Sequence, residues 1–164
     1  MQEKIISSAL ENRDVLALLP TGGGKSLCFQ VPALAKEGIC IVVSPLVALM
    51  EDQVNTLQKK GIKALAIVGG ISYDHLDSLL DNCIYGNYKF LYLSPERLQQ
   101  DIVQQRIKQM NVNLIAIDEA HCISQWGHDF RPDYLRLSEI VLELNKPPLL
   151  ALSATATKEV QDDI

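Results

Sequence analysis

The segment from position 19 to position 26, Leu-Pro-Thr-Gly-Gly-Gly-Lys-Ser, carries the residue types needed to bind phosphate groups. Three consecutive glycines let the backbone curl so that successive amide groups point at phosphate oxygens. Lys25 can then reach the β- and γ-phosphates of ATP, and the Ser26 hydroxyl can ligate Mg²⁺. Leu19 stands where such a loop usually has its first glycine, so this is a relaxed form of the pattern. The predicted phosphate cradle consists of Thr21, Gly22, Gly23 and Gly24.

A second group of chemically active residues follows an apolar run, where Leu-Ile-Ala-Ile leads into Asp118, Glu119, Ala120 and His121. A strand that ends beside the phosphate loop is where a magnesium site needs a carboxylate. We therefore predict that Asp118 holds Mg²⁺, directly or through water, and that Glu119 orients and deprotonates the attacking water. His121 is assigned to the same catalytic group. Taken alone, these residues also fit a solvated helix start with acidic side chains near the helix dipole.

A third polar stretch, Ser-Ala-Thr-Ala-Thr from position 153 to 157, ends the last apolar run of the chain. The hydroxyls of Ser153 and Thr155 are suited to bonding back to His121 or Glu119, which would let them sense the γ-phosphate. Capping of a following helix by Ser153 or Thr157 is the alternative interpretation.

Six short apolar runs must position these groups. Each run is continuous rather than alternating, which is typical of strands buried on both faces of a parallel sheet. Their alternation with helical stretches predicts an α/β domain: a mostly parallel sheet flanked by helices on both faces, with ligands beyond the carboxyl ends of the strands. The runs are Val15–Leu19, Ile39–Val43, Ala64–Val68, Phe90–Leu93, Leu114–Ile117 and Leu149–Leu152.

The helical stretches are indicated by apolar spacing and by their start signals. Ser44-Pro45 and Ser94-Pro95 each place a capping hydroxyl before a proline at the first helical position. Two sets of residues share a helical face. The first set is Ile5, Ile6, Ala9 and Leu10, and the second is Leu46, Leu49, Met50, Gln53, Val54 and Leu57.

Composition narrows the class of protein further. The 164 residues are 48% hydrophobic, enough for one domain with a full core, and no apolar stretch is long enough to span a bilayer. The net charge of −5 argues against a domain whose whole surface clamps nucleic acid, although a local basic strip remains compatible with it. The four cysteines form no CxxC pair, so zinc is not expected, and Cys28 and Cys40 are predicted to be small core residues.

The order of these motifs resembles that of superfamily-two helicases, and two segments are more specific. LPTGGGKSLCFQVPAL, which begins at Leu19, and DEAHCISQWGHDFRPDY, from Asp118 to Tyr134, are similar to the RecQ family of DNA helicases. The resemblance covers nearly the whole chain, from Gln2 to Thr157. It implies a RecA-like P-loop NTPase fold over residues 1–164, with ATP and Mg²⁺ as cofactors.

The resemblance also implies roles for further residues. Gln2 occupies the position of a glutamine that contacts adenine in the family. The segment from 125 to 131 resembles an aromatic-rich loop that couples single-stranded DNA binding to ATP hydrolysis, and stacking of its rings on bases agrees with that role. Its expected DNA-binding or coupling residues are Gln125, Trp126, His128, Phe130 and Arg131. Ser44, Ser94 and Arg97 match segments that touch the DNA backbone, with helix capping as the alternative.

The expected protein is the first lobe of a 3′-to-5′ DNA helicase of recombination and repair, acting on single-stranded and partly duplex DNA. The resemblance implies a second RecA-like lobe and C-terminal modules in the parent chain, which residues 1–164 do not contain. An isolated lobe is expected to bind nucleotide and hydrolyse it poorly, in an intracellular location. The alternatives are a non-catalytic nucleotide-binding module and an RNA-remodelling ATPase.

Overall fold

The fold is a central parallel sheet covered by helices on both faces, as a computed structural model shows for residues 1–20, 24–124, 132, 134, 137–144 and 147–164. The strands are β1 (Val15–Leu18), β2 (Ile39–Val43), β3 (Ala64–Ile67), β4 (Phe90–Leu93), β5 (Val112–Ile117) and β6 (Leu149–Ser153). Each of the six predicted runs is therefore confirmed as a strand: β2 and β4 have the predicted ends, and the other four differ by one or two residues at one end.

The strand order across the sheet is β1-β6-β5-β2-β4-β3, and every described pairing is parallel. The strands are connected by α2 (Lys25–Ala35), α3 (Val47–Lys59), α4 (Tyr73–Tyr85), α5 (Pro95–Leu98), α6 (Asp101–Ile107) and α7 (Leu137–Glu143). Helix α1 (Gln2–Leu10) precedes β1, and α8 (Lys158–Asp163) follows β6. A short 3-10 helix, Ala120–Ile123, follows β5.

The core lies in two layers, one on each face of the sheet, because side chains alternate along each buried strand. In β2, Ile41 faces the layer built with α4 and α6, whereas Cys40 and Val42 face the layer built with α1, α2 and α3. The predicted α/β fold with helices on both faces is thus confirmed. All four cysteines, including the predicted core residues Cys28 and Cys40, are buried with free thiols.

The predicted helical faces are narrower in the structure than in the sequence pattern. In α1, Ile5 and Ala9 are buried and Leu10 is exposed. The face of α3 that packs on the sheet consists of Met50, Val54 and Leu57, while Leu46 and Leu49 are exposed.

One predicted helix start is confirmed and the other is wrong. Ser94 caps α5, since its hydroxyl accepts a hydrogen bond from the Arg97 N–H at 3.3 Å. Ser44 does not cap α3, which begins at Val47 because Leu46 has an extended backbone. The buried Ser44 hydroxyl instead accepts from the Leu46 N–H at 3.3 Å and closes the turn between β2 and α3.

Within the described residues, no helix combines the length and the apolar character needed to cross a membrane.

Candidate nucleotide site

A cleft of about 360 Å³ opens at the carboxyl ends of the strands and collects the residues predicted to act on phosphate. Lys25 and Ser26 enter it from the start of α2, and Asp118 and Glu119 enter it from the end of β5. The two pairs meet because parallel strands end at the same edge of the sheet. Residues distant in sequence therefore line one cleft.

A larger hollow of about 530 Å³ lies at the opposite edge of the sheet, near the start of β2. Its charged residues are Glu37 and Lys89, and it contains no pair of carboxylates facing a lysine. The smaller cleft is therefore the better candidate for chemistry on phosphate, because the groups that such chemistry needs converge there.

The start of α2 has the backbone geometry of a phosphate-binding turn. Gly24, the residue before the helix, has φ +71°, a left-handed conformation that glycine adopts at little cost. The Gln2 side chain packs directly against it, so a Cβ on residue 24 would overlap the Gln2 amide. The predicted cradle residues Thr21, Gly22 and Gly23 lie outside the described part of the chain.

Packing below the cleft fixes the position of α2. Phe29, one turn after Lys25, makes edge-on ring contacts with Phe90 and Tyr92, with centroids 6.4 and 6.3 Å apart. At the other end of the helix, Asn113 donates from Nδ2 to the Ala33 carbonyl at 3.1 Å. The orientation of Lys25 and Ser26 is thus set by the core and not by the cleft itself.

Asp118 is a buried carboxylate, with 8% of its surface exposed. Burial raises the pKa of its carboxyl and so does the neighbouring Glu119, while the Glu119 N–H, Lys25 and His121 offset part of that increase. The Glu119 N–H donates to Asp118 Oδ1 at 2.9 Å and holds the carboxylate in place. A carboxylate in these surroundings is suited to a cationic ligand, which would favour its charged form.

Glu119 has a left-handed backbone, with φ 53° and ψ 46°. This conformation is uncommon and strained for a residue with a side chain, and such strain is concentrated at functional sites. It turns the chain sharply out of β5 and into the 3-10 helix. Asp118 and Glu119 both line the cleft as a result, although adjacent residues in a regular strand would face opposite sides.

His121 connects this turn to the predicted sensor segment. Its Nδ1 lies 3.0 Å from the Ser153 hydroxyl and 3.4 Å from Glu119 Oε2. The Ser153 hydroxyl donates to the Thr155 carbonyl at 2.8 Å and also accepts from the Thr155 N–H. The predicted contact between Ser153 and His121 is therefore present, and the alternative of helix capping holds for Thr157, which caps α8.

Of the residues predicted to touch DNA, three do not line this cleft, and the other five lie outside the described part of the chain. The Arg97 guanidinium donates to the Val68 carbonyl at 2.7 Å and to Gln100 Oε1 at 3.1 Å, so it links β3 to the end of α5. Ser44 and Ser94 serve the local backbone, as described above. The five residues of the aromatic-rich loop, Gln125, Trp126, His128, Phe130 and Arg131, lie outside the described part of the chain.

Three further residues belong to the site beyond those that the sequence analysis assigned to it. Gln53 and Leu49, one helical turn apart on α3, line the cleft together with the acidic pair. Tyr134 is buried and donates its hydroxyl to the Asp118 carbonyl at 3.3 Å. Gln53 did give a signal in the sequence, because it is a polar residue on an otherwise apolar helical face.

The described residues fit a nucleotide bound with Mg²⁺. An ammonium group, a hydroxyl and two carboxylates, one of them buried with a raised pKa, share one cleft. Hydroxyl and carboxylate oxygens are the ligands that Mg²⁺ prefers, and it usually binds through one or two carboxylates together with phosphates. Ser26 and Asp118 would hold the metal, and Lys25 would meet the phosphates.

Comparison with protein families gives a match to the DEAD/DEAH box helicase family over residues 1–163. Curated relatives include the probable ATP-dependent DNA helicase RecS of Bacillus subtilis, which is 49% identical over 99% of this chain and 33% of its own length. The ATP-dependent DNA helicases RecQ of Haemophilus influenzae and Bacillus subtilis are 45% and 47% identical, over 26% and 27% of their lengths. The predicted resemblance to RecQ helicases is confirmed, and this chain spans about a quarter to a third of these relatives.

Two solved structures share the fold. The helicase domain of Pyrococcus furiosus Hef aligns with a TM-score of 0.73 and 23% identity, covering 99% of this chain and 34% of that one. The DUF1998 helicase MrfA, solved with DNA and AMPPNP, aligns with a TM-score of 0.78 and 21% identity, covering 99% and 25%. The RecA-like fold predicted from the sequence is consistent with both.

Proposed function

Because this chain belongs to the DEAD/DEAH box helicase family, we propose that it is the ATP-binding lobe of a RecQ-type DNA helicase. The observation that carries the proposal is the convergence of Lys25, Ser26, Asp118 and Glu119 in one cleft. The identities of 45–49% to RecS and RecQ helicases, which are three to four times longer, support a place as one lobe of a longer protein. In this proposal residues 1–164 form a single domain, and a second RecA-like lobe completes the enzyme.

In the proposed mechanism, the chain's own residues bind and orient Mg-ATP. Lys25 neutralises charge on the β- and γ-phosphates, while Ser26 and Asp118 hold the metal. Bound Mg²⁺ would neutralise charge that develops on the phosphate oxygens. The Gln2 amide, which packs against Gly24, is close to the phosphate loop and is proposed to contact adenine.

Glu119 is the proposed general base. Its left-handed backbone directs the carboxylate into the cleft, where it can orient a water molecule and take a proton from it. His121 lies 3.4 Å from Glu119 Oε2 and also contacts Ser153, so it connects the base to the end of β6. We assign His121 to the catalytic group, and Ser153 and Thr155 to coupling between hydrolysis and the rest of the enzyme.

Single-stranded and partly duplex DNA are the proposed nucleic-acid partners. Residues 125–131 carry the proposed coupling loop, in which Trp126 and Phe130 would stack on bases and Arg131 would contact phosphate. Contact with DNA is also proposed for Ser44, Ser94 and Arg97. Their side chains already bind backbone groups nearby, so DNA contact would be a second role in addition to this structural one. The proposal also includes translocation in the 3′-to-5′ direction, a role in DNA recombination and repair, an intracellular location and no zinc site within residues 1–164.

Unwinding by a full-length protein that contains this lobe tests the proposal. The unmodified protein should unwind a duplex with a 3′ single-stranded tail in the presence of Mg-ATP and leave a 5′-tailed duplex paired. The Lys25→Ala variant should lose this activity, and unwinding at the unmodified rate would refute the proposal. Competition between DNA and RNA strands identifies the substrate: a preference for RNA would instead support an RNA-remodelling ATPase.

A further inference from the structure

Gln53 presents a buried acceptor that has no hydrogen-bond donor. The side-chain oxygen Oε1 is shielded from solvent, and no group in the described part of the chain donates to it. An unpaired buried polar atom costs about 1–3 kcal/mol, so native proteins rarely retain one without a reason. Asn113 also has a buried side-chain oxygen without a donor in the described part of the chain, but Asn113 does not line the cleft.

The position of Gln53 connects it to the proposed nucleotide site. It lies in the second turn of α3, and it lines the same cleft as Lys25, Asp118 and Glu119. The sheet order places the strand before α3 directly beside β5, which carries the acidic pair. Gln53 therefore reaches the cleft from α3, an element different from those that carry Lys25 and the acidic pair.

The chemistry of the site limits what can bind Gln53 Oε1. An amide oxygen only accepts hydrogen bonds, and phosphate oxygens at neutral pH are acceptors too, so the phosphates cannot be the partner. Magnesium bound through one or two carboxylates usually keeps several water molecules, each of which is a donor. An amide adds no charge beside Asp118, whose pKa is already raised by burial and by Glu119.

We propose that Gln53 is a positioning residue that turns its shielded Oε1 into the cleft when Mg-ATP binds, where this oxygen accepts a hydrogen bond from a water molecule in the hydration shell of the nucleotide-bound Mg²⁺. This inference rests on the proposed function of the cleft. It assigns α3 a part in metal binding, in addition to the start of α2 and the end of β5. It also accounts for a polar side chain on the helical face that packs toward the sheet.

The test compares ATP binding in Mg²⁺ with ATP binding in EDTA, both measured by calorimetry on the 164-residue chain. Loss of one neutral hydrogen bond predicts that Gln53→Leu reduces the gain in affinity due to Mg²⁺ by about 3–10-fold, with affinity in EDTA unchanged. Asn55→Leu, on an exposed face of the same helix, is the matched control and should behave as the unmodified chain. Equal Mg²⁺ dependence in Gln53→Leu and the unmodified chain would overturn the inference.

Two further measurements show whether Gln53 has only a structural role, and whether a negative result concerns Gln53 alone or the nucleotide site as a whole. Removing an unpaired acceptor should leave the unfolding temperature of the ligand-free Gln53→Leu chain equal to or above that of the unmodified chain. A lower unfolding temperature would overturn the inference, because it would show that Gln53 stabilises the fold itself. If ATP binding by the unmodified chain does not depend on Mg²⁺, both the proposed function and the role of Gln53 are overturned. If binding by the unmodified chain depends on Mg²⁺ and Gln53→Leu shows the same dependence, only the role of Gln53 is refuted.

Discussion

The Nδ1 atom of His121 lies 3.0 Å from the hydroxyl of Ser153, and this contact joins the turn after β5 to the end of β6. The Ser153 hydroxyl has one proton, which it donates to the Thr155 carbonyl at 2.8 Å. With that proton engaged, the hydroxyl is left to accept from His121, and this arrangement predicts a proton on Nδ1 of the imidazole. The hydrogen bond fixes the ring that also faces Glu119.

The first prediction is that His121 has its proton on Nδ1 and that Ser153 maintains this tautomer. Nitrogen-15 NMR of the neutral imidazole should show Nδ1 protonated in the unmodified chain. Ser153→Ala removes the acceptor, so the usual preference of imidazole for a proton on Nε2 should reappear at least in part. Ser72→Ala, which removes a helix cap remote from the cleft, should leave the His121 spectrum unchanged. An Nε2 proton in the unmodified chain would contradict this hydrogen-bond scheme.

The second prediction concerns the cost of keeping Asp118 charged. Its folded-state pKa is raised, first by burial and then by Glu119, so ionisation disfavours the folded state. Asp118→Asn should therefore increase the free energy of unfolding at pH 7 by on the order of 1 kcal/mol. The amide oxygen can still accept from the Glu119 N–H, which keeps the turn intact.

The pH dependence of this effect follows from the direction of the shift. Below the ordinary aspartate pKa, Asp118 is protonated in both states and the variant gains little. As pH rises through the raised folded pKa, the unmodified chain loses stability that the variant keeps, so the gain grows to its full size at neutral pH. Urea unfolding at several pH values measures it, and a gain that is largest at acid pH would contradict the assignment.

The third prediction separates backbone strain from crowding at Gly24. Gly24 and Gly61 have similar left-handed φ angles, +71° and +78°, but a Cβ on Gly24 would overlap Gln2, whereas one on Gly61 would meet no atom within 4 Å. Gly61→Ala should reduce the free energy of unfolding by about 1–2 kcal/mol because of its backbone conformation alone. Gly24→Ala should reduce the free energy of unfolding by more than Gly61→Ala does. Adding Gln2→Ala to Gly24→Ala should remove this excess. Urea unfolding of the four chains provides the test, and equal costs at both glycines would contradict the close packing of Gln2.

The sheet and the convergence of the motifs were predictable because continuous apolar runs identify buried parallel strands, whose carboxyl ends share one edge. Asp118 and Lys25 could thus be placed together from their spacing to the preceding strands. The left-handed backbone of Glu119 could not be predicted from the sequence, because glycine is the usual residue for that conformation and the turn is set by tertiary packing. The start of α3 could not be predicted either. Ser44-Pro45 is a strong local signal for a helix start, but Leu46 has an extended backbone and the helix begins at Val47.

The role of Gln53 was obscured by the same periodicity that revealed the helix. Spacing assigned Gln53 to the apolar face of α3, together with Met50 and Val54, which are buried as predicted. Leu49 and Gln53 lie on one flank of that buried face, and the fold places this flank against the cleft. Sequence periodicity predicts which residues share a face, whereas the neighbours of that face are determined by the whole fold.

Calorimetric titration of the 164-residue chain with Mg-ATP tests the central claim most directly, with Lys25→Ala as the variant and Lys59→Ala, an exposed lysine on α3, as the control. The account predicts one saturable site in the unmodified chain and in Lys59→Ala. Lys25→Ala should bind at least tenfold more weakly, since hydrogen bonds to charged groups contribute about 1.5–3 kcal/mol. Circular dichroism should show the same fold in all three chains. Equal affinity of Lys25→Ala and the unmodified chain would contradict the assignment of this cleft as the nucleotide site.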